Sequence, residues 1–188
     1  MRIITGKARG IKLATLSGDD TRPTAERVKE AMFSSIQFEL ADRRVLDLFG
    51  GSGQLALEAL SRGAASAVVV DNNKKAADVI RANAIKTDML TECRVICTDW
   101  RDFIKTANQR LGNKEKFSLL ILDPPYKAGF LDEVIKRVSA ADILAEDCLI
   151  VCESAEDGVP LPPDGYTAKL YKHGNVFVTV MRPEEEEE

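Results

Sequence analysis

From residue 43 onward, short apolar runs alternate with amphipathic ones, and this alternation limits the fold more than any other feature. Apolar runs at 43–49, 66–71, 93–97, 117–123 and 148–153 read as strands. The stretches 54–62, 74–86, 100–111 and 128–141 between them read as helices, with Ala77, Ile80 and Ala84 sharing one face of the second. Apolar strands separated by helices predict an α/β fold: a mostly parallel sheet covered on both faces. Two further strands, 166–171 and 175–181, flank the tight "KHGN" and make a closing hairpin, so one late strand runs antiparallel.

Residues 1–42 stand outside this pattern. "RIITGKARGIKLATL" predicts a small β-hairpin around Gly6 and Gly10. "TRPT" then leads into a helix over 25–40, with Val28, Met32, Ile36 and Leu40 on one face. The expected organisation is an N-terminal extension (1–42), a main domain (43–182) and an acidic, disordered tail (183–188).

The net charge of −4 misleads, because five of the 30 acids are the run Glu184–Glu188. Residues 1–12 hold Arg2, Lys7, Arg9 and Lys12 and no acid. That suits a phosphate-rich partner, or is a solvated basic segment. No run approaches the roughly 20 apolar residues of a membrane helix, and Lys7 and Arg9 interrupt the only place for a secretory signal, so the expected compartment is the cytoplasm. The four cysteines form two C-x3-C pairs, Cys93/Cys97 and Cys148/Cys152, both in strand-like runs. Residues four apart along a strand lie about 13 Å from each other, too far for one tetrahedral ion. Buried, reduced thiols are expected, with no metal. His173 is the only histidine and sits in the closing hairpin, so no serine or cysteine triad has a base.

"DLFGGSGQLALEAL" (47–60) joins the first strand to the first helix. Gly50, Gly51 and Gly53 let the backbone turn sharply and approach a ligand at a helix N-terminus, with Phe49 and Ser52 beside them as candidate cofactor contacts. A dinucleotide site would use such a loop too. Asp47, inside the leading strand, would repel a pyrophosphate and suits a cationic ligand such as S-adenosylmethionine; the alternative is a carboxylate bonded to loop amides. Asp71, beside Asn72, ends the second strand, where a carboxylate can accept both hydroxyls of an adenosine ribose. Asp99 follows the third strand, placed for an adenine edge, and Trp100 either packs on that ring or opens its helix as a core residue.

"FSLLILDPPYKAG" drives an apolar strand into a carboxylate, two prolines and an aromatic ring. An exocyclic amine on a nucleobase is a poor nucleophile, because its lone pair is delocalised into the ring. Two convergent acceptors can draw that lone pair out: the Asp123 carboxylate and the Pro124 carbonyl, held by the rigid Pro124–Pro125 step. Tyr126 offers a ring on which the base can stack. The displacement is in line, so catalysis is mostly positioning. This requires the tips of strands one and four to share one cleft.

Together, "MRIITGKARGIKL", "TRPTAERVKEAMFSSI", "DLFGGSGQLALEALSRGA" and "ILDPPY" resemble the bacterial RsmD-like family of 16S ribosomal RNA guanine-N2 methyltransferases, over nearly the whole chain. Gly50 and Ala56 depart from that family's usual alanine and glycine. The resemblance implies a Rossmann-like class I methyltransferase fold: a seven-stranded sheet with its last strand antiparallel. It implies S-adenosyl-L-methionine at Asp47–Gly53, Asp71 and Asp99, and a guanine at Asp123–Tyr126. It also implies RNA, as 16S ribosomal RNA or an assembling small subunit, along the N-terminal segment with Arg22 and Thr24. The expected species is a monomer. The rivals are a DNA amino-methyltransferase, a nucleotide-binding dehydrogenase and a non-catalytic RNA-binding assembly factor.

Overall fold

The computed structural model describes residues 1–16, 23–111, 116–124, 130–155 and 158–184. Among them lie strands β1 (Arg44–Asp47), β2 (Ser66–Asp71), β3 (Cys93–Cys97), β4 (Phe117–Leu122), β5 (Leu144–Ser154), β6 (Tyr166–His173) and β7 (Val176–Pro183). The helices are α1 (Pro23–Ser35), α2 (Gln54–Ser61), α3 (Lys74–Lys86), α4 (Trp100–Leu111) and α5 (Phe130–Ala140). One sheet holds all seven strands in the order β3-β2-β1-β4-β5-β7-β6. Only β7 runs against its neighbours. The order reverses between β1 and β4, which pair in parallel with Asp47 opposite Ile121. In open α/β sheets, ligands bind in the crevice outside such a switch point.

The apolar runs supply both faces by alternation. Val45, Leu119 and Ile121 face a core built with α1, α2 and α3. Leu46, Leu120 and Leu122 face a second core under α4 and α5. A strand buried on both sides must be apolar at every position, which is why the sequence shows unbroken runs here. Ile3, Ala8 and Leu13 of the N-terminal segment join the first core, alongside Val28, Met32 and Phe33 of α1. The expected hairpin there is a single antiparallel bridge between Arg2 and Lys12, with Ile3 N–H donating to the Ile11 carbonyl at 3.0 Å.

Four expectations need correction. The helix over 25–40 ends at Ser35, and Gln37–Glu39 form a short 3-10 turn. Arg182 of β7 donates to the freed Ser35 carbonyl at 3.1 Å and pairs with Glu39 at 2.6 Å, stopping the helix from the far end of the chain. Cys97 is exposed, because it closes the edge strand β3, whereas Cys93, Cys148 and Cys152 are buried. His173 still belongs to β6, and the turn itself is Gly174–Asn175, with Gly174 at φ 65°. Beyond β7, Glu184 N–H still bonds the Gly165 carbonyl at 2.9 Å, so the paired chain runs past the expected start of the tail. Residues 185–188 lie outside the described residues. Among the described residues, no helix is long and apolar enough to cross a membrane.

Candidate active site

At the β1–β4 switch point lies a cleft of about 720 Å³. Its walls include Phe49, Gly50, Gly51 and Ser52 of the loop after β1, Asp71 and Asn72 after β2, Asp99 and Trp100 before α4, and Asp123 after β4. Residues far apart in the chain meet here because each ends a strand, and parallel strands end on one edge of the sheet.

The loop is held by backbone and carboxylate bonds. Gly50 N–H donates to the Val70 carbonyl at 2.9 Å. A Cβ on Gly50 would come within 2.5 Å of Val69 Cγ1, so the loop can lie against β2 only without a side chain. Gly53, at φ 77°, turns the chain into α2. Asp71 orders the cleft floor: Oδ2 accepts from Gly51 N–H at 2.8 Å and Oδ1 from Asn73 N–H at 2.8 Å. Each oxygen keeps a further lone pair for a ligand. Asp99 caps α4, accepting from Arg101 N–H at 2.8 Å.

Asp47 sits behind the loop. It is 1% exposed, is not among the residues that line the cleft, and accepts from Phe49 N–H at 3.1 Å. Of the two sequence readings, the geometry matches a carboxylate bonded to loop amides. Burial pushes its pKa from 3.8 to about 7, with the Phe49 amide opposing and Asp71 adding to the rise. Asp123 reaches the cleft, and burial pushes its carboxyl well above 3.8, reinforced by the negative charges of Glu153 and Asp47. Both shifts give one sign. Between about pH 4 and 7 the native state holds protons that the unfolded chain releases, so the ligand-free protein loses stability as pH rises through this window. Chemical unfolding at a series of pH values should show it, at up to about 1.4 kcal/mol per pH unit for each such group, and Asp47→Asn should flatten the slope.

Trp100 belongs to both sequence readings: it is 5% exposed, packs in the second core and lines the cleft. It meets Phe130 edge-on at 5.8 Å and Phe49 at 6.4 Å, and the Arg101 guanidinium lies 4.4 Å over its ring. Pro124 is buried directly after Asp123. Pro125, Tyr126 and Arg22 lie outside the described residues, as does the side chain of Thr24.

The N-terminal cations are not in this cleft. Arg2 and Arg9 line a separate groove of about 420 Å³ with Arg27, Glu26 and Glu30. Lys7 pairs with Glu92 at 3.0 Å, and Lys12 is exposed. Sequence reasoning missed nine of the described wall residues, Met1, Leu16, Arg101 and Phe130 among them. Arg101 and Phe130 adjoin recognised motifs and could have been found by proximity, whereas Met1 and Leu16 carry no local signal.

The family described as "Conserved hypothetical protein 95" matches residues 1–182. The "Putative rRNA methyltransferase YlbH" of Bacillus subtilis is 35% identical over 162 residues, 86% of each chain. The "Ribosomal RNA small subunit methyltransferase D" of Escherichia coli K12 is 32% identical over 168 residues, 89% of this chain and 81% of that one. Among solved structures, the "Putative methyltransferase yhhF" of Escherichia coli superposes with a TM-score of 0.83 at 31% identity, covering 98% of both chains.

Proposed function

We propose that this chain, which belongs to the conserved hypothetical protein 95 family, is an S-adenosylmethionine-dependent methyltransferase acting on N2 of a guanine in 16S ribosomal RNA. One observation carries the reading. Asp123, Gly51 and Asp71 line a single cleft at the adjacent tips of β4, β1 and β2, where a donor held by the loop faces an acceptor held by Asp123. The cleft suits the cofactor's charge: among the described residues, three carboxylates line it against one arginine, Arg101. A pyrophosphate would meet those carboxylates unfavourably, which disfavours a dinucleotide.

S-adenosylmethionine supplies an electrophilic methyl group on a cationic sulfur. Asp71 accepts the ribose hydroxyls on the lone pairs that Gly51 and Asn73 leave free. Asp99 and Trp100 flank the adenine, with Phe49 and Asn72 completing that wall. Asp47 acts from behind, shaping the loop through Phe49 N–H. Asp123 and the Pro124 carbonyl accept the two hydrogens of the guanine amine and turn its lone pair toward the methyl group. Tyr126 stacks on the base, which must leave its own stack to enter. The bond N2 would form to the methyl carbon replaces the carbon–sulfur bond, so the cofactor would leave as the neutral thioether S-adenosylhomocysteine, while N2 would lose a proton that a carboxylate with a raised pKa is suited to receive. Arg2, Lys7, Arg9, Lys12, Arg22 and Thr24 are the proposed RNA-side contacts.

The test is incubation of the protein with methyl-labelled cofactor and small ribosomal subunits lacking their methyl groups, followed by mass-spectrometric mapping of the labelled base. Label on one guanine N2 of the 16S RNA is expected. Label on adenine, on DNA or on protein contradicts the substrate assignment, and calorimetric binding of NAD in place of S-adenosylmethionine contradicts the class.

A further inference from the structure

Asn83 of α3 is a buried polar side chain, 1% exposed, in a helix whose buried face is otherwise alanine and isoleucine. It lies outside every motif discussed above. Its amide oxygen accepts from Ala14 N–H at 2.8 Å, and its amide nitrogen donates to the Ala14 carbonyl at 2.9 Å and to the Ser52 carbonyl at 2.8 Å. One acceptor and two donor hydrogens are all engaged, so the side chain is held in one orientation. All three partners are backbone groups. Two lie on the N-terminal strap, residues 1–16, and one on the glycine loop.

Both elements wall the cofactor cleft. Two residues beyond Ala14, Leu16 lines it, and so does Met1, whose sulfur lies 3.2 Å from the Ser52 hydroxyl. Leu13 N–H donates to the Met1 carbonyl at 3.1 Å, tying the two ends of the strap together. The strap beyond Leu13 adds little to the core: Ala14 is exposed, and Thr15 and Leu16 are half-buried. A polar group at 83 would be costly inside the core unless all its bonds were made. What these bonds define is the position of the strap against the loop.

We infer that the N-terminal strap is a wall of the cofactor site and that Asn83 is the positioning residue that sets it against the glycine loop. The inference rests on the cofactor reading proposed above. It makes the segment that carries the cationic hairpin part of the cofactor site as well.

The experiment measures steady-state methylation of unmodified small subunits, and calorimetric binding of S-adenosylmethionine and S-adenosylhomocysteine, for the full-length wild type, Asn83→Ala and Leu16→Ala. Loss of strap positioning should raise the cofactor KM and Kd about tenfold in Asn83→Ala and several-fold in Leu16→Ala, with kcat at saturating cofactor within about twofold of wild type. A merely structural Asn83 would lower kcat and Tm together by reducing the folded fraction, with the cofactor KM unchanged; that result overturns the inference. If Asn83→Ala does not fold, Leu16→Ala decides alone, and an unchanged cofactor KM in it overturns the inference. A wild type that binds neither cofactor form overturns the proposed function instead, and this inference with it.

Discussion

Asp123→Ala is expected to lower kcat by at least about a hundredfold, while the affinity for S-adenosylmethionine stays within about twofold. In the proposed mechanism the carboxylate accepts the amine hydrogens, and removing one preorganised polar group of this kind typically reduces turnover a hundred- to a thousandfold. Cofactor affinity should be spared because the loop, Asp71 and Asp99, the proposed cofactor contacts, wall the cleft from other strands. Asp123→Asn should fall between wild type and alanine: it keeps one acceptor oxygen but cannot take the proton. Neither variant should be less stable than wild type above neutral pH, since burial already disfavours the ionised carboxylate. Turnover in the wild type should rise with pH as Asp123 ionises through its raised pKa. Single-turnover methylation beside calorimetry separates these effects. A pure RNA-binding protein would be indifferent to the substitution, and equal turnover in Asp123→Ala would remove Asp123 from the chemistry.

Glu58→Ala is expected to cost about 3–5 kcal/mol of stability, the range for removing one partner of a buried ion pair. Glu58 is fully buried on α2 and accepts four donors. Ile4 N–H and Thr5 N–H approach at 2.8 and 3.0 Å, Arg62 Nε at 2.8 Å and Lys29 Nζ at 3.3 Å. Lys29, 2% exposed, also donates to the Arg2 carbonyl at 2.6 Å. Alanine would strand two buried cations and two amides at once. For a chain of this size, the loss corresponds to a drop in Tm of about 10 °C or more. Lys29→Met in the same background should restore part of it, because an apolar side chain needs no counter-charge. Burial lowers the Lys29 pKa from 10.5, with Glu58 opposing the shift. Between the lowered value and 10.5 the unfolded chain holds more protons, so stability rises with pH there, and the window widens once Glu58 is gone. Urea unfolding measures wild type and both variants, and a loss under about 1 kcal/mol in Glu58→Ala would show that the network is not a determinant of the fold.

The centre of the sheet was legible in the chain because β1, β2 and β4 are buried on both faces and so carry apolar runs, as in Leu119–Leu122. The glycine loop and Asp123 were legible because their chemistry is local: a turn at positive φ and a carboxylate at a strand end. Less legible was the end of α1, where the apolar spacing continues to Leu40 but the helix does not. Its stop comes from Arg182, 147 residues away, and no window of sequence around Ser35 contains it. The exposure of Cys97 was hidden for a similar reason: its spacing from Cys93 matches that of Cys148 and Cys152, and only strand order places β3 at the edge.

By itself, then, the sequence determined which segments become strands and helices, and which residues stand at the strand tips. Backbone conformation and side-chain periodicity are short-range properties. Tertiary structure alone decided the strand order, the withdrawal of Asp47 behind the loop and the placing of Met1 and Leu16 in the cleft wall. It also chose the partners of Glu58 and Asn83, which lie 54 and 69 residues away at Ile4 and Ala14. A buried carboxylate or amide must find donors and acceptors wherever the closed chain brings them. Which backbone groups arrive is settled by how the whole sheet and its helices pack.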